Sequence, residues 1–140
     1  LTLQPSSKGS DINKALEYYL QYRKQRSVCF LISDFRCKDY ERSVRVTSSK
    51  HDLIGMQIFD QGEREIPDIG LIPASDPETG EFIWLDTSDS HVRSQYRNSF
   101  HQQTNRFKEV FKKYGSDFIQ MNTKESYVKS LVKFFQSRNV

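Results

Sequence analysis

The chain has 140 residues and a mass of 16.5 kDa, a length that suits one domain and leaves little room for two. Its 36% apolar, 13% aromatic and 28% charged residues exclude a disordered chain, and two cysteines exclude a disulfide scaffold. The 21 Lys and Arg against 18 Asp and Glu leave a charge of +3, too small a surplus to point to nucleic acid by itself, and no stretch reaches the roughly 18 apolar residues of a membrane helix.

The first ten residues carry neither an initiating Met nor the charged start and apolar middle of a signal peptide, so the chain reads as a processed product or a piece of a longer protein. From Asp11 onward, Ile12, Ala15, Leu16, Tyr19 and Leu20 recur at helical spacing behind a Ser10 or Asp11 cap, which predicts a first helix. The continuous apolar run 27–33 predicts a strand covered on both faces. Cys29 lies inside that run and Cys37 follows it, which fits two unpaired thiols in a reducing, cytoplasmic setting. A shorter helix is expected over 39–50, with Tyr40, Val44 and Thr47 on one side, and a second buried strand over 52–59.

Residues 60–65 are turn chemistry, and 69–72 and 81–85 read as two strands joined through 76–80 into an antiparallel hairpin. A long helix is expected between Ser88 and Tyr114, marked by Val92, Tyr96, Phe100, Phe107, Val110 and Phe111 and closed by Gly115. Residues 117–121 give a third core strand. Residues 123–138 give a last helix, with Tyr127, Leu131, Phe134 and Phe135 at helical spacing.

Strands separated by helices run parallel through right-handed crossovers, so the expected fold is α/β: a three-layer, Rossmann-like parallel sheet with helices on both faces and an inserted antiparallel hairpin at about 66–86. Three parallel strands make a narrow sheet with an open edge, available for self-association. Residues 1–140 therefore read as one partial domain whose first strands belong before Leu1.

In open parallel sheets, sites form at the carboxyl ends of strands, which directs attention to 33–35, 59–60 and 121–123. Asp34 is the foremost candidate. A carboxylate on a loop just past a buried strand can coordinate a hard cation such as Mg²⁺, with hydroxyl oxygens and waters completing the shell. The alternative is that Asp34 caps the segment leading into the next helix. Asp86-Thr87-Ser88-Asp89-Ser90 has the Asp-x-Ser-x-Ser form of a metal loop, but a run of Asp, Thr and Ser before Val92 is what a helix N-terminus wants.

Ser6-Ser7-Lys8-Gly9-Ser10 lacks both the Gly spacing of a phosphate loop and a preceding strand. His51, His91 and His101 have no zinc spacing, and the sequence assembles no nucleophile with a base. An enzyme reading is therefore secondary: a Mg-dependent phosphoryl transferase or hydrolase using Asp34. The cations of the last third, from Lys108 to Arg138, read as a solvated helix face, with an acidic partner surface as the alternative. Aromatic residues there fall at core spacing, so nucleic-acid stacking is not indicated.

An ordered series of short motifs resembles a known family. The runs Gly9-Ser10-Asp11-Ile12, Val28-Cys29-Phe30-Leu31-Ile32-Ser33-Asp34-Phe35, His51-Asp52-Leu53-Ile54, Glu63-Arg64-Glu65-Ile66-Pro67-Asp68-Ile69-Gly70, Asp76-Pro77-Glu78-Thr79-Gly80 and Asp86-Thr87-Ser88 resemble the C-terminal half of the bacterial domain of unknown function 58 family. That family is similar to von Willebrand factor A domains, whose metal-ion-dependent adhesion site takes Asp-x-Ser-x-Ser from the first strand, a Thr from a second loop and an Asp from a third. By position, the resemblance implies Ser10 at the second-loop Thr and Asp34 at the third-loop Asp. The first-strand ligands would lie before Leu1. The expectation is Mg²⁺ in the full-length protein and no cofactor in this chain alone. The resemblance also implies a protein-interaction module, not an enzyme, that works beside a MoxR-type AAA+ ATPase in assembling or remodelling other proteins.

Overall fold

Helix and strand patterns alternate along the chain, and the computed structural model, which describes residues 11–37, 39–75 and 80–138, turns that alternation into a parallel sheet. Helix α1 (Ile12–Tyr22) precedes strand β1 (Val28–Ser33), and helix α2 (Glu41–Lys50) precedes strand β2 (Asp52–Phe59). A one-turn helix α3 (Gln61–Arg64) leads to strands β3 (Leu71–Ser75) and β4 (Phe82–Asp86). Helix α4 (Ser90–Lys113), strand β5 (Asp117–Asn122) and helix α5 (Tyr127–Arg138) follow.

Strands β1, β2 and β5 form the parallel sheet in the order β1-β2-β5, and β3 pairs with β4 in a separate two-stranded antiparallel sheet. The β1 and β2 register runs from Val28 opposite Asp52 to Ser33 opposite Gln57. This is the α/β architecture that the sequence pattern requires, a parallel sheet flanked by helices with the hairpin set apart.

The residues group into two compact units, one of the described residues up to Gln57 with Phe107–Ile119, the other of Ile58–Arg106 with the described residues from Gln120 onward. In the first unit, Asp11 caps α1 by accepting from the Lys14 backbone N–H at 3.0 Å, and the helix buries Ile12 and Leu16. These two join Cys29, Phe35, Tyr40, Val44, Leu53, Phe107, Val110 and Phe111 in the core. Glu41 fixes α2, accepting from Lys113 Nζ and from the Tyr114 hydroxyl at 2.7 Å each. The α4 helix ends at Gly115, and the Ser116 N–H returns to the Phe111 carbonyl at 3.0 Å.

The continuous apolar run of β1 predicts a strand covered on both faces, yet only Cys29 is buried, while Val28, Phe30 and Ile32 are exposed. Strand β1 ends the sheet order, whereas β2 lies between two strands and buries Leu53, Ile54, Met56 and Gln57. Hydrophobicity alone does not separate an edge strand from a central one.

In the second unit, Phe59 and Phe100 stack with centroids 5.3 Å apart. Thr87 is fully buried and closes the base of the hairpin: its Oγ1 accepts from the Ile69 N–H at 3.0 Å and donates to the Gly70 carbonyl at 2.6 Å. Gly70 has φ of 83°, a left-handed conformation that a β-carbon disfavours. Helix α5 begins four residues later than the apolar spacing implies. The intervening segment is a turn in which Asn122 accepts from the Glu125 and Lys124 backbone N–H groups. Its expected core residues fare unevenly, with Leu131 and Phe134 half-buried and Tyr127 and Phe135 exposed.

Gly55 sits where β2 passes beneath α4. A β-carbon there would lie 2.5 Å from Phe111 Cε1 and 2.8 Å from Phe107 Cε2, closer than any side chain tolerates. Both rings are fully buried and hemmed by other rings. Gly55→Ala is therefore expected to destabilise the protein by about 1–3 kcal/mol, read as a lower urea midpoint at unchanged slope.

Candidate functional site

The loop after β1 places Asp34 by contacts that the sequence around it supplies. Asp34 Oδ1 accepts from the Ser33 hydroxyl at 3.3 Å and from the Arg36 backbone N–H at 3.2 Å, closing an Asx turn. The same Ser33 hydroxyl accepts from the Phe35 N–H at 3.1 Å. Gln57, buried on β2, donates its side-chain amide to the Asp34 carbonyl at 3.4 Å. Asp34 is half-buried, and its Oδ2 accepts no hydrogen bond among the described residues. The capping alternative for this residue thus takes the form of a turn within its own loop, while α2 starts at Tyr40 without a side-chain cap.

Phe35, directly after Asp34, has φ of 55°, a conformation that costs a residue with a β-carbon about 1–2 kcal/mol. The ring is 1% exposed and lies 4.3 Å from the Phe107 centroid and 5.6 Å from those of Tyr40 and Phe111. Burying a Phe side chain contributes about 1.5–3 kcal/mol, and each good aromatic pair adds roughly 0.5–1.5. Packing outweighs the backbone cost, so the core holds the Asp34 loop in shape.

Ser10, the other expected metal ligand, lies outside the described residues. Among the described residues, no three His, Cys, Asp or Glu side chains are grouped to share an ion. Asp34 fits one ligand position, a carboxylate with one oxygen open, but the described residues do not make up a Mg²⁺ site.

The other strand ends form a separate arrangement. Asp60 Oδ1 accepts from the Gly62 N–H at 2.8 Å, and Oδ2 accepts from the Thr123 hydroxyl at 2.9 Å. Both groups hold the Asp60 carboxyl below its usual range, the Gly62 N–H most of all. Asn122 donates its amide to Gln61 Oε1 at 3.2 Å, and the Thr123 N–H reaches the Phe59 carbonyl at 3.0 Å. This network ties β2 to β5 at their carboxyl ends and leaves Asp60 with both oxygens engaged.

The Asp86-Thr87-Ser88-Asp89-Ser90 run turns one oxygen of each of its carboxylates onto its own backbone and hydroxyl groups. Asp86 Oδ1 takes the Ser88 hydroxyl at 2.6 Å and the Ser88 N–H at 3.0 Å, and Asp89 Oδ1 takes the His91 N–H at 2.8 Å in the first turn of α4. Arg93 Nη1 donates to the Thr87 carbonyl at 2.6 Å and the Ser88 carbonyl at 2.9 Å.

One pairing has no signal in the sequence. Ser27 Oγ lies 3.3 Å from Nδ1 of the buried His51 and 2.8 Å from the Tyr19 hydroxyl. The three residues come from the α1 face and from the amino-terminal sides of β1 and β2, at the opposite end of those strands from Asp34. They tie α1 to the sheet. Sequence separations of 8 and 24 residues give no local motif from which to foresee the contact.

Residues 1–106 match the family described as "Protein of unknown function DUF58". An uncharacterized protein of Mycobacterium avium is 22% identical over 138 residues, which cover 96% of this chain and 79% of that protein. Uncharacterized proteins of Mycobacterium bovis and Mycobacterium tuberculosis are each 21% identical over 138 residues, again 96% of this chain but 42% of their own length. The chain thus spans less than half of those two relatives. No solved structure matches.

The Asp60 network makes stability depend on pH in a defined direction. Its carboxyl titrates below 3.8 when folded, so in the window beneath that value the unfolded chain binds more protons. The contribution is complete above about pH 5 and is lost as pH falls through the folded value. Thermal unfolding from pH 7 to pH 2 should show a shallower acid limb for Asp60→Asn than for the parent. Asp11 and Asp86, lowered in the same direction, account for slope that remains.

Proposed function

The chain belongs to the DUF58 family, and from that premise we propose that it is a protein-recognition module, working by binding and not by turnover, beside an AAA+ ATPase of the MoxR type in the assembly or remodelling of other proteins. The observation that carries this reading is the Asp34 loop. A carboxylate stands at the end of a parallel strand, its backbone fixed by Gln57 and Phe35, with Oδ2 accepting no hydrogen bond among the described residues. The motif series resembles a family similar to von Willebrand factor A domains, and on that resemblance Asp34 and Ser10 would be two ligands among several. A Mg²⁺ ion bound in such a site offers one coordination position to a partner's carboxylate.

The bacterial cytoplasm is the compartment that suits this reading. Cys29 and Cys37 are both free thiols, and burial pushes each of them up from the ordinary thiol range. Among the described residues no helix is long and apolar enough to cross a membrane.

The test uses the protein and a MoxR-type ATPase from the same organism, with binding measured as Mg²⁺ is titrated. Asp34→Ala is expected to weaken binding by at least about tenfold when Mg²⁺ is present. Asp34→Asn keeps the Oδ1 acceptor of the turn and should lose the Mg²⁺ response without losing thermal stability. Binding that ignores both Mg²⁺ and the Asp34 variants would remove the metal-dependent reading.

A further inference from the structure

The two faces of the β3 and β4 hairpin differ. Ile72, Ala74, Ile83 and Leu85 share one face, where all but Ile83, 50% exposed, are half-buried. The register places Leu71, Pro73, Phe82 and Trp84 together on the other, where Leu71 is 61%, Trp84 69% and Phe82 80% exposed. Single exposed apolar residues are ordinary, but a contiguous set around a Trp has the make-up of an interaction surface, because Trp anchors carry much of the energy where proteins meet. A two-stranded ribbon is marginal by itself. Here the Thr87 contacts to Ile69 and Gly70, and Arg93 bound to the Thr87 and Ser88 carbonyls and 3.5 Å from Asp68 Oδ2, hold its base. The aromatic face is presented in a fixed shape, which lowers the ordering cost of binding.

Charge selects the occupant. From Asp60 to Asp89 the sequence has nine Asp and Glu against one cation, Arg64, in a protein whose overall charge is +3. Asp86 stands on the aromatic face itself, opposite Leu71, and Glu81 adjoins Phe82. Glu65 and Asp68 are exposed nearby in sequence but are already offset by Arg64 at 3.9 Å and Arg93 at 3.5 Å, so the acidic character of the face rests on Asp86 and Glu81. A field of this sign repels phosphate groups, whether of nucleic acid or of anionic lipid, and attracts Lys and Arg.

We propose that the outer face of the β3 and β4 hairpin is a docking surface for a basic amphipathic segment of a partner protein. The partner's apolar side chains rest on Trp84 and Phe82, and its Lys and Arg side chains meet the acidic surround. An Arg or Lys over the Trp84 ring gains a further cation–π attraction. The surface lies apart from Asp34 in the chain and needs no metal.

Trp84 is the only Trp in the sequence, so intrinsic fluorescence reports on this face alone. The whole protein is titrated with a synthetic amphipathic helix of Lys and Leu, and with a twin carrying Glu in place of every Lys. The Lys peptide should move the Trp84 emission to shorter wavelength and saturate, with affinity falling several-fold as salt rises from about 0.05 to 0.5 M. The Glu twin should leave the emission in place. Phe82→Ser retains the reporter and should weaken binding about tenfold. Glu81→Lys should weaken it and flatten the salt dependence, and far-UV circular dichroism verifies that each variant is folded.

Asp34→Ala should respond as the parent does, with or without Mg²⁺, which separates this surface from the strand-end reading. An equal response to both peptides, or no response to either, overturns the proposal. So does an emission shift on neutral phosphatidylcholine vesicles with none on peptide, which makes the face a membrane contact. A shift that grows with protein concentration alone assigns the face to a second copy and overturns it as well.

Discussion

The contact of Phe107 and Phe111 with the backbone of β2 at Gly55 sets the geometry of everything around Asp34. Because Gly55 has no side chain, the two rings of α4 descend onto the strand itself, and Phe35 fills the space against them with its ring 4.3 Å from that of Phe107. Phe35 reaches that position only by taking a left-handed backbone conformation. The chain therefore reverses directly after Asp34, and the reversal turns the carboxylate into the Asx turn with Arg36. A loop shaped by a buried ring is stiffer than one shaped by its own hydrogen bonds, since unfolding it would expose the ring.

Buried polar groups finish what the aromatic core begins. Gln57 is a long polar side chain in a strand that is otherwise apolar from Leu53 to Phe59, and burying its amide without partners would cost about 1–3 kcal/mol. Its bond to the Asp34 carbonyl offsets part of that cost and clamps the end of β1 to β2. The Asp60 and Thr123 network clamps β2 to β5 in the same manner. The two clamps leave their carboxylates in different states. Asp60 uses both oxygens on protein groups, whereas among the described residues Asp34 uses one.

The sequence carried the elements and their order because each has a strong local signal. Ile12 and Leu16 mark one helix face, Gly115 marks a helix end, and the run at 52–59 marks a central strand. It did not reveal that β1 is exposed on one side, since Val28, Phe30 and Ile32 would read the same in a central strand. The start of α2 also escaped it: Asp39, with φ of 64°, cannot be helical, and nothing local marks that conformation. The place of Asp34 at the end of β1 was legible from the strand pattern, and strand ends are where candidates are sought in parallel sheets. Its supports, Gln57 and Phe107, were not, because they come from 23 and 73 residues further along the chain and act through packing.

The hairpin shows why a buried contact and an exposed one belong to the same design. Thr87 is the most buried residue of its segment, and its hydroxyl satisfies two backbone groups at a bend where Gly70 adopts a conformation suited to glycine. Removing the hydroxyl would leave the Ile69 N–H and Gly70 carbonyl without that partner and free the ribbon to splay. Held at its base, the ribbon cannot rotate its aromatic residues inward, and alternation along a strand leaves one face outward once the other is half-buried. Leu71, Phe82 and Trp84 lie together on the outward face of the ribbon that Thr87 anchors. Exposed apolar residues add no stability of their own, so the ribbon keeps its shape through its anchored base.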